Sequence, residues 1–375
     1  MKIVIAHGTP VNRISGFCIA VKNLYKGLQN LGHDVAFVCP SREDARTTAY
    51  SYKSPLGIWP IPNIIDKHVY KKIKKFQPDI VHNHDLGVVG IAVIKYAYDL
   101  NLPIVLTIHS EFRELLKSSI PSLLKFFLTP VLVKYLKRYI NLCDIVIAPT
   151  ENIKAYLERE GVKTKIVVQP SGIDLSIFSY KPRMHKVKNY KLLSVGSLVK
   201  GKNFPCLIKM MTYLNNEKYS LDIIGGGRQM KRLKDLIDRL ELKNVKLHGS
   251  IRNSHMGRYY RNADLFLSSS ITESQGLVYI EAMASGLPIV SLRNLGSKNI
   301  VKENESGILV SRDNPKLFAD KVKYLMSDPE LYSKYSKNAY ERSRRYDIRK
   351  TAKETVEIYE DLIEIYKKDA RYKND

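Results

Sequence analysis

The segment that most restricts how this chain can fold lies in its second half. Leu265-Phe266-Leu267 is an apolar run of the right length for one short buried strand, and Ser268-Ser269-Ser270 ends it. The string ESQGLVYIEAMASGLPIV, Glu273 to Val290, follows. Its middle reads as a helix reaching about Ala284. Gly286 stands where a helix C-terminus wants positive φ, and Pro288 prevents continuation. The result is a strand–loop–helix unit of an α/β domain.

Two carboxylates sit in that unit. Glu273 belongs to the loop at the carboxyl end of the strand, and Glu281 lies about one and a half turns into the helix. Helical rise from Gly276 to Glu281 is roughly 7 Å, which suits two carboxylates gripping different parts of one extended ligand. Between them the helix start offers unpaired N–H groups and a positive dipole end, and Gly276 lets an anion approach the backbone. A ligand with hydroxyls at both ends and phosphate in the middle, a nucleotide-sugar, fits this layout. A plain strand–loop–helix with solvated glutamates satisfies the same pattern.

The chain has 375 residues, enough for two domains with full cores, and its 44% hydrophobic content is that of a globular protein. Lys and Arg total 61 against 37 Asp and Glu, a net charge of +24. Such a field attracts nucleic acid, anionic lipid headgroups or phosphorylated substrates, although a generally lysine-rich proteome would produce it too. No zinc-finger, RRM or basic-zipper pattern occurs, and the basic residues are dispersed, so no nucleic-acid partner is expected. Cys18, Cys39, Cys143 and Cys206 are scattered without a C-x-x-C, as expected of reduced thiols in the cytosol. The opening MKIVIAHG enters a strand directly, so no signal peptide is expected. No uninterrupted apolar run reaches the ~18 residues of a membrane span.

The full ESQGLVYIEAMASGLP string resembles the signature of the retaining GT-B glycosyltransferases of family four, and most of all their diacylglycerol glucosyltransferase branch. The resemblance implies an α/β fold of the GT-B class, two Rossmann-like domains facing across a cleft. It places an acceptor-side domain at 1–180, joined by a C-terminal helix at 348–375, and a nucleotide-sugar-binding domain at 190–347. By the same resemblance Glu273 touches the donor sugar, Glu281 binds the ribose hydroxyls, and the amides of Gly276 and Leu277 hold the diphosphate.

The opening βαβ, with strands at Lys2–Ile5 and Val35–Val38 around a helix at Phe17–Leu31, lacks the G-x-G-x-x-G dinucleotide fingerprint. ISGFCIAVKNLYKGLQNLGHDVAFVCP resembles the family's N-terminal loop and helix, in which a glycine pair meets the donor phosphates. Only Gly16 carries over, because Phe17 follows it. DIVHNHD, Asp79 to Asp85, puts His82 and His84 in a loop. A metal site lacks a third ligand, and the resemblance favours a structural or acceptor-lining role. His109 ends the strand Ile104–Ile108 at the position where α/β sheets bind ligands, and in the family the corresponding histidine lies beside the reacting sugar.

In the second half, Leu192–Gly196 starts a further α/β domain after a polar, basic linker at Ser179–Asn189. SLVKGKNFPCLI resembles the diphosphate-binding loop that follows Gly196. Lys202 matches the family's lysine, while Ser197 occupies its arginine position, with Lys200 as a candidate replacement. Gly225-Gly226-Gly227 marks a tight turn, and Gly249-Ser250-Ile251 matches the nucleobase seat, with Ile251 the residue assigned there.

Two basic segments carry the membrane expectation. In 67–76, Lys67, Lys71, Lys74 and Lys75 share one helical face and Val69, Ile73 and Phe76 the other. Residues 115–140 mix Leu and Phe with lysines, and Pro121 and Pro130 break the run into short pieces. Both suit an anionic membrane surface; ordinary core helices with solvated lysines are the other reading. No Asp-x-Asp occurs, so no metal or other cofactor is expected, the UDP-sugar being a co-substrate. The implied activity is retaining transfer of a hexose, glucose being the expected one, from a UDP-sugar to a membrane-associated acceptor such as diacylglycerol. His109 and Glu273 are the catalytic candidates, on the inner face of the cell membrane. A polysaccharide or lipid-linked oligosaccharide acceptor is the alternative, with a nucleotide-sugar epimerase of the same fold or a nucleic-acid-binding protein further behind.

Overall fold

Ile3 and Ile5 of the first strand point to one side of a sheet and Val4 and Ala6 to the other, and all four are buried. A strand covered on both faces implies a parallel sheet flanked by helices. The computed structural model, described for residues 1–8, 15–39, 47–49, 70–71, 73–113, 116, 125–180 and 189–372, has two such sheets in two units.

The first unit contains β1 (Lys2–Ala6), α1 (Gly16–Asn30), β2 (Asp34–Cys39), β3 (Thr47–Ala49), β4 (Ile80–Asn83), α2 (Val88–Asp99), β5 (Ile104–Thr107), α3 (Lys125–Ile140), β6 (Ile145–Ala148), α4 (Glu151–Arg159) and β7 (Lys165–Val168). The second contains β8 (Tyr190–Val195), α5 (Phe204–Met210), β9 (Tyr219–Ile224), α6 (Met230–Arg239), β10 (Val245–Leu247), α7 (Asn253–Asn262), β11 (Leu265–Ser268), α8 (Leu277–Ala284), β12 (Ile289–Leu292), α9 (Leu295–Ile300), β13 (Gly307–Val310), α10 (Pro315–Ser327) and α11 (Pro329–Ser343). The last helix, α12 (Ile348–Tyr372), returns to the first unit.

In the first sheet the strand order is β3-β2-β1-β4-β5-β6-β7, with parallel pairing throughout. One face is covered by α1 and α12, through Val21, Leu28, Tyr359 and Leu362. The other carries α2, α3 and α4, through Val93, Val133, Leu136 and Leu157. α12 is amphipathic: Ala352, Thr355, Tyr359 and Leu362 recur at helical spacing and are all buried.

The second sheet runs β10-β9-β8-β11-β12-β13, again parallel. Leu192, Leu221, Leu265 and Val290 face a core closed by α5, α6, α10 and α11. Its helix starts follow polar caps: Asn314 accepts from the Leu317 amide and Asp328 from the Leu331 amide, with proline next in each case. In both sheets strand order reverses beside the first strand of the unit, between β1 and β4 and between β8 and β11. Such a crevice at the carboxyl ends is where open α/β sheets place ligands.

Three expectations change. His82 lies within β4, fully buried and paired in register with Ile5 and Val105, because the strand continues to Asn83. Pro130 does not break its segment: α3 runs through it. The proline is on the exposed side, so the Phe126 carbonyl that loses its N–H partner is left near solvent. The contact division between units falls after Gly172, earlier than the expected linker, of which 181–188 lie outside the described residues.

The two basic segments also differ from each other. Of 67–76, residues 67–69 and 72 lie outside the described residues. Ile73 is buried in the core with Tyr70 and Phe76 packed against it, which leaves Lys71, Lys74 and Lys75 exposed. In α3 the buried side is Thr129, Val133, Leu136 and Ile140, whereas Phe126, Phe127, Val131 and Tyr135 are exposed by 82%, 70%, 64% and 46%. The first segment spends its apolar side on the core; α3 keeps an apolar side free. Pro121, with 114–115 and 117–124, lies outside the described residues.

Candidate active site

The crevice between β8 and β11 brings two loops together. The β8 loop is tied down by its backbone: the Gly196 amide donates to Ile224 and the Leu198 amide to Gly226. A Cβ on Gly225 would lie 1.8 Å from the Gly196 carbonyl oxygen, so the glycine triplet is there to let two backbone segments touch. Gly226 abuts Ser250 and the Gly225 amide donates to Gly249, which sets Ile251, on the turn before α7, along the same rim as Gly196. From the β11 side, Ser269 Oγ donates to the Lys202 and Asn203 carbonyls, and the Ile271 amide donates to Gly201.

These bonds bring the Lys202 ammonium onto the Glu273 carboxylate in a direct ion pair, with side chains 25% and 15% exposed. Gly276, at φ 75°, turns the chain into α8, whose first turn has no side-chain cap. A Cβ there would sit 2.5 Å from the Tyr279 ring and 2.9 Å from Glu273 Cγ. The amides of α8 that begin at Leu277 therefore open beside the Lys202–Glu273 pair. Gly296 of α9 presses on Glu273 from another side, with a Cβ placed 2.8 Å from Glu273 Cβ, and Asn294 donates to the Ser270 carbonyl at 2.8 Å. Ser197 is exposed, as is Lys200.

Glu281 is held differently. Every residue of α8 except Val278 is buried, so the helix carries its carboxylate inward with it. Tyr260 of α7 donates to Glu281 Oε2 at 2.6 Å. Burial raises the Glu281 pKa to about 7, and the tyrosine hydrogen bond only partly offsets that. The Tyr260 phenol is in turn pushed well up, by burial first and then by the neighbouring carboxylate. Tyr260, Asn294 and Gly296 were not singled out from the sequence; nothing in their local strings marks them, since each acts across the fold.

In the first unit the crevice between β1 and β4 holds histidines. His7 follows β1, His84 follows β4 with its amide donating to Ala6, and His109 follows β5. His84 Nδ1 lies 3.0 Å from His109 Nε2. His82, behind them, bonds Tyr359 at Nδ1 (2.5 Å) and Thr107 at Nε2 (2.7 Å). Burial lowers every pKa in the row: His7 and His109 to about 4, His82 to about 3, and His84 well below the usual value. Lys22 adds to the effect at His7, and the neighbouring rings at the others. At neutral pH these rings are uncharged hydrogen-bonding groups. Gly16 opens α1 with open space where a Cβ would be, and the next residue, Phe17, meets the His109 ring edge-on at 5.0 Å. Among the described residues no group of three or more His, Cys, Asp or Glu could hold a metal ion.

The expected site residues thus fall into separate places: Gly196, Lys202, Ile251, Glu273, Gly276, Leu277 and Glu281 in the second unit, His109 after β5 in the first, and Gly16 at the start of α1. The first sets the Lys202–Glu273 pair beside the uncapped start of α8, with Glu281 buried one turn further on, and the second holds uncharged imidazoles.

Two family models match the chain, "Glycosyltransferase Family 4" over residues 15–177 and "Glycosyl transferases group 1" over residues 179–342. An alpha-monoglucosyldiacylglycerol synthase of Acholeplasma laidlawii is 29% identical, with 94% of each chain covered. A protein of the same name from Streptococcus pneumoniae is 28% identical over 82% of this chain and 75% of its own. Among solved structures, sucrose-phosphate synthase from Thermosynechococcus elongatus superposes with a TM-score of 0.77 at 19% identity, covering 97% and 99% of the two chains. HepE from Anabaena in complex with UDP-glucose gives 0.75 at 17% identity, covering 95% and 99%. Two parallel Rossmann-like units, each with its crevice, and matches that together span nearly the whole sequence lead to one conclusion: this chain belongs to the family four glycosyltransferases, enzymes of the GT-B fold.

Proposed function

We propose that this enzyme moves a hexose, glucose being the expected one, from a UDP-sugar to a membrane-associated lipid of the diacylglycerol kind, with retention of anomeric configuration. The observation that carries the reading is the uncapped start of α8 beside the Lys202–Glu273 pair. A diphosphate seated on the amides from Leu277 onward takes the Lys202 ammonium as its counter-ion. Glu273, released from Lys202, meets the sugar, and Glu281 meets the ribose hydroxyls. Negative charge that develops on the leaving diphosphate is stabilised by Lys202 and the helix amides, so donor binding needs no divalent metal. The departing phosphate oxygen takes the acceptor proton on the face it leaves, which retains configuration without a protein nucleophile. His109, neutral at working pH, orients the donor sugar and does not carry the proton.

The acceptor assignment draws on two observations. The Acholeplasma and Streptococcus relatives are named for a glucosylated diacylglycerol product. The exposed Phe126, Phe127, Val131 and Tyr135 of α3, with Lys134 and Arg138 beside them, form an apolar and basic side suited to an anionic bilayer. The proposed attachment is peripheral, on the inner face of the cell membrane; no helix among the described residues is long and apolar enough to cross a membrane.

The test is a screen of UDP-sugars against vesicles of diacylglycerol with anionic lipid, polyprenyl-linked sugars and soluble glycans. UDP-glucose with diacylglycerol should give an α-linked glycolipid. Turnover confined to glycan acceptors overturns the lipid assignment, a β-linked product overturns retention, and UDP-sugar consumption without acceptor points to epimerase or hydrolase chemistry instead.

A further inference from the structure

His82, His84 and His109 form a row of stacked rings, with centroids 4.1 Å apart for the first pair and 5.3 Å for the second. Tyr359 is fully buried, and burial keeps its phenol protonated. Its hydroxyl lies 2.5 Å from His82 Nδ1, and Thr107 Oγ1 lies 2.7 Å from His82 Nε2, so both ring nitrogens of His82 are partnered.

His84 has only one partnered ring nitrogen. It is 7% exposed, its Nδ1 faces His109 Nε2 at 3.0 Å, and its Nε2 has no partner among the described residues. Both rings are neutral, because burial and the neighbouring imidazoles oppose any added charge. One of the two facing nitrogens therefore carries the shared hydrogen. If His109 donated it, the His84 proton would sit on Nε2, and an N–H would be buried with no acceptor among the described residues. If His84 donates it, only a lone pair is left buried. The orphaned N–H is the costlier outcome.

We infer that His84 is a positioning residue: by donating from Nδ1 to His109 Nε2 it locks His109 as the Nδ1–H tautomer, so that the donor His109 offers a ligand is Nδ1–H. A ring fixed this way presents a hydrogen to an acceptor oxygen and cannot take a proton at Nε2 without breaking the His84 bond. That the oxygen belongs to the donor sugar rests on the function proposed above; the tautomer itself does not.

The experiment has two arms. In the first, full-length protein labelled with ¹⁵N-histidine is examined at pH 7 by long-range ¹H–¹⁵N correlation, with His84→Asn and His109→Asn used for assignment. The expected result is a protonated Nδ1 for both His84 and His109. A protonated Nε2 on His109, or a charged ring at pH 7, overturns the inference whatever the enzyme transfers. In the second arm, His84→Leu should lower kcat on the order of 100-fold, the scale of a misplaced catalytic contact, with little change in KM for the donor. His84→Asn, whose amide nitrogen stands in for Nδ1–H, should restore most of the loss. Equal kcat for the Leu and Asn variants at equal thermal stability would show that His84 merely fills space. The expected tautomers without any transferase activity would leave the positioning bond standing and remove its proposed use.

Discussion

Replacing Glu281 by glutamine should stabilise the free enzyme while weakening its hold on nucleotide. The Glu281 side chain is 4% exposed on an otherwise buried helix, and its pKa is raised from the ordinary 4.5 to about 7. Between those values the folded protein holds a proton that the unfolded chain has released. Stability contributed by this group is therefore fully present below about pH 4.5 and is lost as pH rises through about 7. The shift corresponds to about 3 kcal/mol. Glutamine keeps the shape and the oxygen that accepts from Tyr260 but never ionises, so the Glu281→Gln variant escapes that loss. Its melting temperature in calorimetry should match wild type near pH 4 and exceed it by about 6–12 °C at pH 8, taking about 2–4 °C per kcal/mol for a unit of this size. Titration with UDP should show about 10- to 100-fold weaker binding, the worth of a hydrogen bond to a charged group. Equal melting at pH 8, or a gap that persists unchanged at pH 4, would refute the claim that an ionising buried carboxylate is the cause.

Four further outcomes are expected. Glu273→Ala should lower kcat more than it raises donor KM, whereas Glu281→Ala should act mainly on nucleotide affinity; steady-state kinetics separate the two. Lys202→Met removes the cation beside the α8 amides and should cost on the order of 100-fold or more in kcat, measured with saturating donor. Treatment with EDTA should leave turnover unchanged in a radiolabelled UDP-sugar assay, since Lys202 and helix amides serve the diphosphate. Changing Phe126, Phe127 and Val131 together to serine should abolish co-sedimentation with anionic vesicles without lowering the melting temperature, because those side chains are exposed.

The sequence was most informative where residues act through their neighbours in the chain. The glycine at 276, the stop at Gly286-Leu287-Pro288 and the apolar run at 265–267 each fix backbone geometry locally, and the structure has φ 75° and 70° at the two glycines. The Rossmann-like arrangement is legible in the opening βαβ, where a helix at Phe17–Leu31 joins two short apolar strands. Contacts made across the fold were not legible. Tyr260 lies 21 residues before the glutamate it holds, and Tyr359 is 277 residues from His82. The sequence places His82 in a loop after the strand, yet contact with a tyrosine and a threonine partners both ring nitrogens inside β4. A proline inside a helix reads as a break because it lacks an N–H, yet Pro130 sits within α3 on the side that faces solvent. The Lys202–Glu273 pair joins two loops, each legible by itself, whose meeting depends on strand order.

The return of α12 to the first unit has a consequence for how the protein is made. On a ribosome the amino-terminal sheet emerges first, but the surface formed by Ile3, Ile5, Val21 and Phe37 is capped by Tyr359 and Leu362, which are translated near the end. The 175 residues from Ile173 to Asp347 come between, and at about 5–20 residues per second they take roughly 10–35 s. The unit that begins later in the chain can therefore finish maturing earlier, while the first waits with an oily flank open to chaperones.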